Sequence, residues 1–195
     1  MATSSNALFR KFSMETISQL AATKASDQRR IRQALIEQYP DMTADDWEVV
    51  MPKKCDIMLV KCHDATNLVV LLTTDNKKQV LFFQHHDGPF LPHLKMLHRY
   101  PFLLPVHQVD IGGCKFVVSG ANVMCPGVTH KDGRVGEGID IGDPVAVKIQ
   151  GKRHAVAVGF ALMSSEDIKK KNKGHCIDNV HHLGDGLWRM EYLEG

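Results

Sequence analysis

Apolar residues in the first part of the chain recur at spacings of three and four, the period of a helix that is buried on one face. This pattern predicts a helix over 27–38 and a second helix that begins after Thr43, with Trp47 on its buried side. Ser26 is the predicted N-cap of the first helix, and Pro40 prevents the helix from continuing. The chain is therefore expected to open with two short helices.

Beyond these helices the pattern changes to short runs rich in Val, Ile, Leu and Phe. Runs over 57–63, 68–73 and 79–84 are separated by turns that contain Asp and Asn, which predicts a three-stranded antiparallel meander. A short helix is predicted over 91–99, and a connector bracketed by two prolines follows it. We place a domain boundary at this connector, which gives an N-terminal α/β domain over 1–104.

In the second half, short apolar runs alternate with glycine-containing turns, which predicts another small domain over 105–195. A helix is predicted over 111–119, and residues 128–140 are predicted to form a loop because they contain three glycines and no apolar run. The other predicted elements are strands over 122–125, 145–149, 155–162, 175–180 and 187–192, and a helix from Ser164 to Gly174. The predicted fold class is α+β with two domains.

The composition restricts the class of protein. Lys and Arg number 24 and Asp and Glu 22, so any nucleic-acid-binding face depends on local clustering of cations. The five cysteines contain no C-x-x-C pair, so we expect no disulfide framework, and a reducing cytoplasmic location fits best. No apolar run approaches the roughly 18 residues of a membrane helix.

The N-terminal tail allows two interpretations. Residues 1–25 are rich in Ser and Thr and contain a single acid, Glu15, a composition that overlaps with a mitochondrial transit peptide. The preferred alternative is a short loose tail followed by core anchors, namely Leu8, Phe9 and Phe12. Composition alone leaves both open.

Neither catalysis nor metal binding is predicted. The sequence has no G-x-S-x-G nucleophile elbow, and the glycines over 133–138 lack the Lys-Ser/Thr ending of a phosphate-binding loop. Histidine occurs in pairs such as His85-His86 and His181-His182, but four ligands at zinc-site spacing are not found. We therefore expect no enzymatic activity, no bound metal and no cofactor.

An ordered series of motifs in the second half resembles the PUA domain, a small pseudobarrel common in RNA-binding proteins. The series is Val109-Asp110, Gly113, Lys115-Phe116, Ser119 to Met124, Pro126-Gly127-Val128, Gly142 to Val147 and Ala155 to Gly159. Motifs in the first half are similar to the malignant T-cell-amplified sequence family, namely Ala34 to Pro40, Met51-Pro52-Lys53-Lys54, Leu81 to Gln84 and Leu97 to Phe102. The resemblance fails in the N-terminal tail and over 128–140.

This resemblance implies both a fold and a function. The implied fold is a pre-PUA domain followed by a C-terminal PUA pseudobarrel. The implied function is that of a non-catalytic RNA-binding translation factor, which acts on the small ribosomal subunit in reinitiation, release of deacylated tRNA and non-standard initiation. The implied partners are ribosomal RNA, the tRNA acceptor end and a density-regulated protein homologue, which is the subunit expected to bring zinc.

The segment Gly120 to Gly127 is the candidate RNA site, because glycines without a Cβ let a phosphate or sugar approach the main chain. Alternatively, these glycines serve only a helix C-cap and a tight turn; the PUA resemblance favours RNA. Nearby cations are expected to bind phosphate, unless they are ordinary solvated residues. The predicted RNA-binding set is Lys115, Ser119, Gly120, Ala121, Asn122, Met124, Pro126, Gly127, Lys152 and Arg153.

Basic residues in the first half are candidates for contact with the ribosome, although each group alone is better explained as solvated surface. The candidates are Arg29, Arg30, Lys53, Lys54 and Arg99. Two other functions stay open: an accessory subunit or enzyme of RNA modification, and a protein-interaction adaptor. A positive strip beside 120–127 would favour RNA binding, whereas a broad apolar patch there would favour a protein partner.

Overall fold

The protein is described by a computed structural model that covers residues 8–20 and 22–193. Its framework consists of two sheets. The elements of the first half are β1 (Ile17–Gln19), α1 (Ala25–Gln38), α2 (Ala44–Val50), β2 (Ile57–Cys62), β3 (Thr66–Leu72), β4 (Lys78–His85), β5 (Leu91–Pro92) and α3 (Leu94–Arg99). The predicted antiparallel meander is confirmed, since β3 pairs with both β2 and β4.

The second half contains the elements β6 (Val106–Val109), α4 (Cys114–Val117), β7 (Val123–Met124), α5 (Cys125–Thr129), β8 (Pro144–Ile149), β9 (Ala155–Ala161), α6 (Ser165–Lys171), β10 (His175–His182), α7 (Gly186–Arg189) and β11 (Tyr192–Leu193). The second sheet has the order β6-β8-β9-β10-β7, in which only β6 and β8 are parallel among the described strands. Gln108 also bridges to Arg134, so residues 128–140 cover the open edge of β6. The α+β class is confirmed.

Two local predictions were wrong, and a third was wrong at one end. Ser26 lies inside α1, whose N-cap position is Lys24. The predicted loop over 128–140 is confirmed from residue 130 onward, but its first two residues belong to α5, a helix with a proline in its first turn. The predicted strand over 187–192 is instead the helix α7 followed by two strand residues.

The last of these corrections affects the architecture. β11 pairs antiparallel with β4, with Tyr192 opposite Gln79 and Leu193 opposite Lys78. The chain therefore returns from the second half to complete the first sheet. The boundary between 104 and 105 stays a prediction, and the residues after it do not all pack in one sheet.

The two halves also share a hydrophobic core. The larger cluster of buried residues contains most of the first half's apolar side chains together with Ala155, Val158, Val180 and Leu187 from the second. A smaller cluster, which includes Val109, Val147 and Ile168, lies within the second half. The buried interface indicates that the two halves are held together by apolar packing.

A buried histidine network reinforces the junction between the halves. The Leu94 N–H donates to His181 Nε2 at 3.2 Å, so the other ring nitrogen of His181 carries the proton and donates to Asp185 Oδ2 at 2.8 Å. His93 Nδ1 accepts from the Lys95 N–H, and its Nε2 donates to the Leu187 carbonyl at 3.0 Å. The bonds from Leu94 to His181 and from His93 to Leu187 cross the proposed domain boundary, and together they fix the orientation of α3 relative to β10.

Candidate nucleic-acid interface

The candidate site is a ledge formed by residues 122–127 together with the 3-10 turn over 110–113 that follows β6. Asp110 follows β6, and its Oδ1 accepts from the Gly112 N–H at 2.7 Å, which starts a 3-10 turn. The Asp110 N–H donates to the Gly127 carbonyl at 3.1 Å and so joins this turn to α5. A Cβ on Gly113 would collide with the Val109 side chain, so glycine permits the close approach of the turn to β6.

A groove of about 510 Å³ lies between this 3-10 turn, α4 and β7. Its walls are mainly apolar, and Phe116 and Met124 contribute large side chains that are 56% and 51% exposed. Asp110, Asn122 and the exposed His175 supply its polar groups. The groove is therefore an open apolar surface with a few polar side chains at its edge.

An internal hydrogen-bond system holds the turn beside the groove. Asn179, on β10, donates from Nδ2 to the carbonyls of Val117 (2.9 Å) and Ala121 (3.0 Å). Its N–H donates to Asn122 Oδ1 at 2.8 Å. The predicted RNA-binding set does not include Asn179, and no local pattern marks it, because Asn179 is one of several polar residues in β10. Asn122 consequently has one of its polar atoms already engaged inside the protein.

Four members of the predicted RNA-binding set line the groove: Ala121, Asn122, Met124 and Gly127. Two others serve the local turn. Ser119 Oγ donates to the Phe116 carbonyl at 2.8 Å, and the buried Gly120 has a φ of +89° with its N–H bonded to Val117. That geometry agrees with the helix-terminating role that was left open for Gly120.

The segment 122–127 is accessible to solvent rather than covered by other parts of the protein. Met124 and Pro126 are exposed, Asn122 and Gly127 are half-buried, and the side chains between them face the core. An extended ligand therefore has physical access to this edge.

The three cations of the predicted set flank the groove and do not line it. Lys115 lies on its rim, with Nζ 4.9 Å from the centroid of the Phe116 ring. Lys152 and Arg153 are exposed in the turn between β8 and β9, which contacts the ledge through a 3.4 Å bond from the Ile111 N–H to Gln150 Oε1. Positive charge therefore borders an apolar surface and does not form a continuous strip across it.

The first-half candidates fall into two groups. Arg32 donates to the carbonyls of Met51, Pro52 and Cys55, which attaches the turn carrying Lys53 and Lys54 to α1. α1 also carries the exposed Arg29 and Arg30, and Arg30 pairs with Asp27 at 3.4 Å.

Arg99 lies elsewhere. It projects from α3 with its guanidinium carbon 5.6 Å from the Tyr100 ring centroid, and it borders a cavity beside β4. Within 8–20 and 22–193, no hydrogen bond or ion pair joins Arg99 to the group on α1.

The Cys125 thiol beside the groove is shielded from solvent. Cys125 is fully buried, and its Sγ contacts Met163 Sδ at 3.5 Å and the Lys173 carbonyl at 3.4 Å. Within the described part of the chain, no three His, Cys, Asp or Glu side chains are arranged to hold a metal ion.

None of the described helices is both long and apolar enough to cross a membrane.

Comparison with known proteins explains this arrangement. A family model described as a Pre-PUA-like domain matches residues 12–101, and a PUA domain model matches residues 105–183. Malignant T-cell-amplified sequence 2 of Homo sapiens is 42% identical over 186 residues, which cover 94% of this chain and 98% of the human protein. The chain belongs to the malignant T-cell-amplified sequence family. The PUA domain and the family resemblance expected from the sequence are both confirmed.

Relatives of the family extend to fungi. Translation machinery-associated protein 20 of Eremothecium gossypii is 40% identical over 188 residues, covering 95% of this chain and 100% of the fungal protein. A hypothetical protein from the archaeon Pyrococcus horikoshii has the same fold, with a TM-score of 0.65, 24% identity, and coverage of 88% of this chain and 98% of the archaeal one.

Proposed function

We propose that this member of the malignant T-cell-amplified sequence family is a non-catalytic RNA-binding translation factor that acts on the small ribosomal subunit in the cytoplasm. Its family, its PUA domain and the name of its fungal relative support an RNA-binding, translation-associated role. Its effect is positional. Binding energy shifts tRNA occupancy and start-site selection in reinitiation, release of deacylated tRNA and non-standard initiation, without making or breaking a bond.

The accessible ledge over 122–127 carries the RNA-binding part of this proposal. Lys115 lies on α4 beside the Phe116 ring, and the turn that carries Lys152 and Arg153 is joined through Gln150 to the 3-10 turn at Ile111. We expect these cations to bind the phosphates of a strand, such as a tRNA acceptor end, that lies on the exposed main chain. Charge reversal in the turn should weaken this contact without affecting the fold, because both side chains are exposed.

The test is cosedimentation of the Lys152→Glu/Arg153→Glu variant with small ribosomal subunits across a salt titration. Weaker binding and a shallower salt dependence are expected, by about 0.7–0.9 in log–log slope for each phosphate that is no longer neutralised. The matched control is Lys61→Glu/Lys169→Glu, which reverses two exposed lysines outside the ledge. Equal binding by both double variants and the wild type would remove the ledge from the RNA contact.

The apolar groove beside the ledge favours a second, protein ligand. Phe116 and Met124 both line the groove and are 56% and 51% exposed, and exposed apolar surface of this kind is typical of protein interaction sites. We assign this groove to the heterodimer partner, a density-regulated protein homologue. Apolar side chains of the partner would pack on Phe116 at the α4 wall of the groove, while RNA is bound by the exposed main chain of 122–127 at the β7 wall and by the cations outside the groove.

Replacing Phe116 by Ala tests this assignment. The affinity for the purified partner homologue should fall by about thirtyfold or more, as expected for an aromatic residue at the centre of an interface. Phe102→Ala is the matched control, because Phe102 is 48% exposed and lies outside the groove. An equal loss in both variants, or none in Phe116→Ala, contradicts the assignment. RNA binding without the partner should be unchanged.

A further inference from the structure

A second cavity, of about 390 Å³, lies where the N-terminal turn meets α7, and it shares no lining residue with the ledge groove. We call it the clasp pocket; its lining is Arg10, Lys11, Phe12, Ser13, Met14, Gly186, Arg189, Met190 and Tyr192. Three of these residues are cationic and none is acidic. The cavity is therefore a concave site of one charge sign.

Main-chain packing brings these cations together from opposite ends of the chain. The Gly186 N–H donates to the Phe9 carbonyl at 2.8 Å. A Cβ on Gly186 would collide with the main chain of Phe12, so glycine allows the N-terminal turn to contact α7 directly. Arg10 and Lys11 are thereby placed beside Arg189, although the sequence separates them by most of its length.

The positive charge of the clasp pocket is not compensated locally. Within the described part of the chain, Arg10, Lys11 and Arg189 make no ion pair. Glu15 and Glu191 adjoin lining residues in the sequence, but neither lines the cavity, and Glu191 pairs with Lys95. A concave surface lined by one sign of charge concentrates the electrostatic potential and attracts anions such as phosphate.

An aromatic ring completes the clasp pocket. Tyr192 is 41% exposed, and its backbone is fixed by the pairing of β11 with β4. Lys77 Nζ lies 5.9 Å from the Tyr192 ring centroid, but this lysine pairs with Asp75 at 2.8 Å. Cations beside an exposed aromatic ring are the combination by which proteins hold single-stranded nucleic acids: the cations bind the backbone, and a base stacks on the ring.

We propose that the clasp pocket binds a nucleotide of single-stranded RNA. Arg10, Lys11 and Arg189 contact the phosphate, and the base stacks on Tyr192. This inference rests on the proposed RNA-binding function and adds an RNA contact separate from the ledge.

The first test measures binding of a short fluorescein-labelled oligouridylate to the full chain. Lys11→Glu/Arg189→Glu should bind about tenfold more weakly, with a log–log salt slope shallower by about 0.7 for each phosphate that the variant leaves unpaired. The control Lys61→Glu/Lys169→Glu changes the same number of exposed charges away from the pocket and should bind as the wild type does. Equal affinities of both double variants overturn the proposal.

The second test separates stacking from charge. Tyr192→Leu keeps an apolar side chain on β11 but removes the ring, so binding should weaken by about tenfold while the salt slope stays the same. In the wild type, photocrosslinking of a 4-thiouridine oligonucleotide should label the peptide that contains Tyr192. This measurement does not depend on a variant that folds, and absence of the crosslink contradicts the stacking arrangement.

Two further comparisons identify the ligand and the site. If pyrophosphate raises the thermal midpoint of the wild type but not of Lys11→Glu/Arg189→Glu, while oligouridylate binding is equal in both, the pocket takes free phosphate and the RNA proposal is wrong.

The ledge variant Lys152→Glu/Arg153→Glu distinguishes the two sites. Loss of subunit binding in the ledge variant alone contradicts the clasp pocket, and loss in the clasp variant alone contradicts the ledge.

Discussion

At the scale of single residues, Asp185 has the densest set of buried hydrogen bonds at the junction. Its Oδ2 accepts from His181 Nδ1 and from the His182 N–H, both at 2.8 Å. Its Oδ1 accepts from the Trp188 N–H at 2.7 Å and so caps α7. The Asp185 carboxylate thus fixes the His181 ring at the domain junction, and it also caps α7, the helix that carries part of the clasp pocket.

Replacing Asp185 by Asn should destabilise the protein by about 1.5–3 kcal/mol. The substitution removes the charge from three buried hydrogen bonds and places an amide donor against groups that already donate. Urea unfolding measures the change, with the exposed Asp41→Asn as control. A free energy of unfolding equal to that of the control would show that the carboxylate does not organise the junction.

His93 should make the stability depend on pH. Burial, and secondarily the neighbouring His181, lower the pKa of His93 from 6.5 to about 3. Between these values the unfolded chain binds a proton that the folded protein does not, so stability falls as the pH decreases through this window, by up to about 1.4 kcal/mol per pH unit.

Urea unfolding at a series of pH values across this window tests the contribution of His93. His93→Gln should have a shallower dependence, and exposed His63→Gln is the control for replacing a histidine. Some dependence should remain, because burial also lowers the pKa of His107 to about 4. An identical slope in His93→Gln and the wild type would contradict this assignment.

Some residues that line the groove could be predicted from the sequence. The residues whose buried hydrogen bonds hold the surrounding backbone in place could not. Ala121, Met124 and Gly127 follow from a local motif, and they do line the groove. Asn179 and Asp185 do not follow from such a motif, because their roles come from hydrogen bonds to backbone that is distant in sequence or lies in an unpredicted helix. Local patterns cannot determine which backbone groups a buried side chain will meet.

At the scale of elements, side-chain caps determine where the short helices begin. Thr43 Oγ1 accepts from the Asp46 N–H at 3.1 Å, and Asp46 Oδ2 accepts from the Thr43 N–H at 3.0 Å, which completes a reciprocal capping box. The cap directs Trp47 and Val50 into the core. A helix of seven residues depends strongly on such a cap, because it has few internal hydrogen bonds.

Thr43→Ala should therefore cost about 1 kcal/mol of stability. Thermal or urea unfolding gives the value, and Thr74→Ala, in the exposed turn between β3 and β4, is the matched control. If both variants lose the same amount, the loss reflects removal of a threonine and not of the cap.

The helices that were not predicted are too short to show the periodic spacing of apolar residues by which a helix is recognised in a sequence. α5 and α7 have five and four residues, less than two turns, so no apolar spacing can identify them. Pro126-Gly127 is also typical of a turn, although proline is equally acceptable in the first turn of a helix. The long apolar runs of β2 to β4 were predicted because several residues support each assignment.

At the scale of the whole molecule, the ends of the chain lock the two halves together. Phe9 and Phe12 are buried in the larger core, α7 contacts the N-terminal turn, and β11 extends the first sheet. The two separate sheets followed from local runs of residues. The pairing of β11 with β4 did not, because two residues carry no strand signal of their own.

Ending the chain after Leu183 should destabilise the first domain, although every deleted residue lies beyond the matched PUA domain. The truncation removes β11 and the buried Leu187 and Leu193. Trp47 then remains as the reporter, because the sequence has two tryptophans and the other is Trp188. Full-length Trp188→Phe is the control with the same reporter. Equal midpoints of the Trp47 fluorescence transition would show that the first domain folds without these residues.

The return of β11 to β4 also has a consequence for synthesis. β4 leaves the ribosome long before its partner has been translated, so the nascent sheet carries an unpaired edge at Lys78 and Gln79 during that interval. Unpaired edges recruit other strands and promote aggregation. Newly made chains should therefore need a chaperone until β11 emerges, and ribosome-stalled chains that end before it should be cleaved by protease faster than chains that include it.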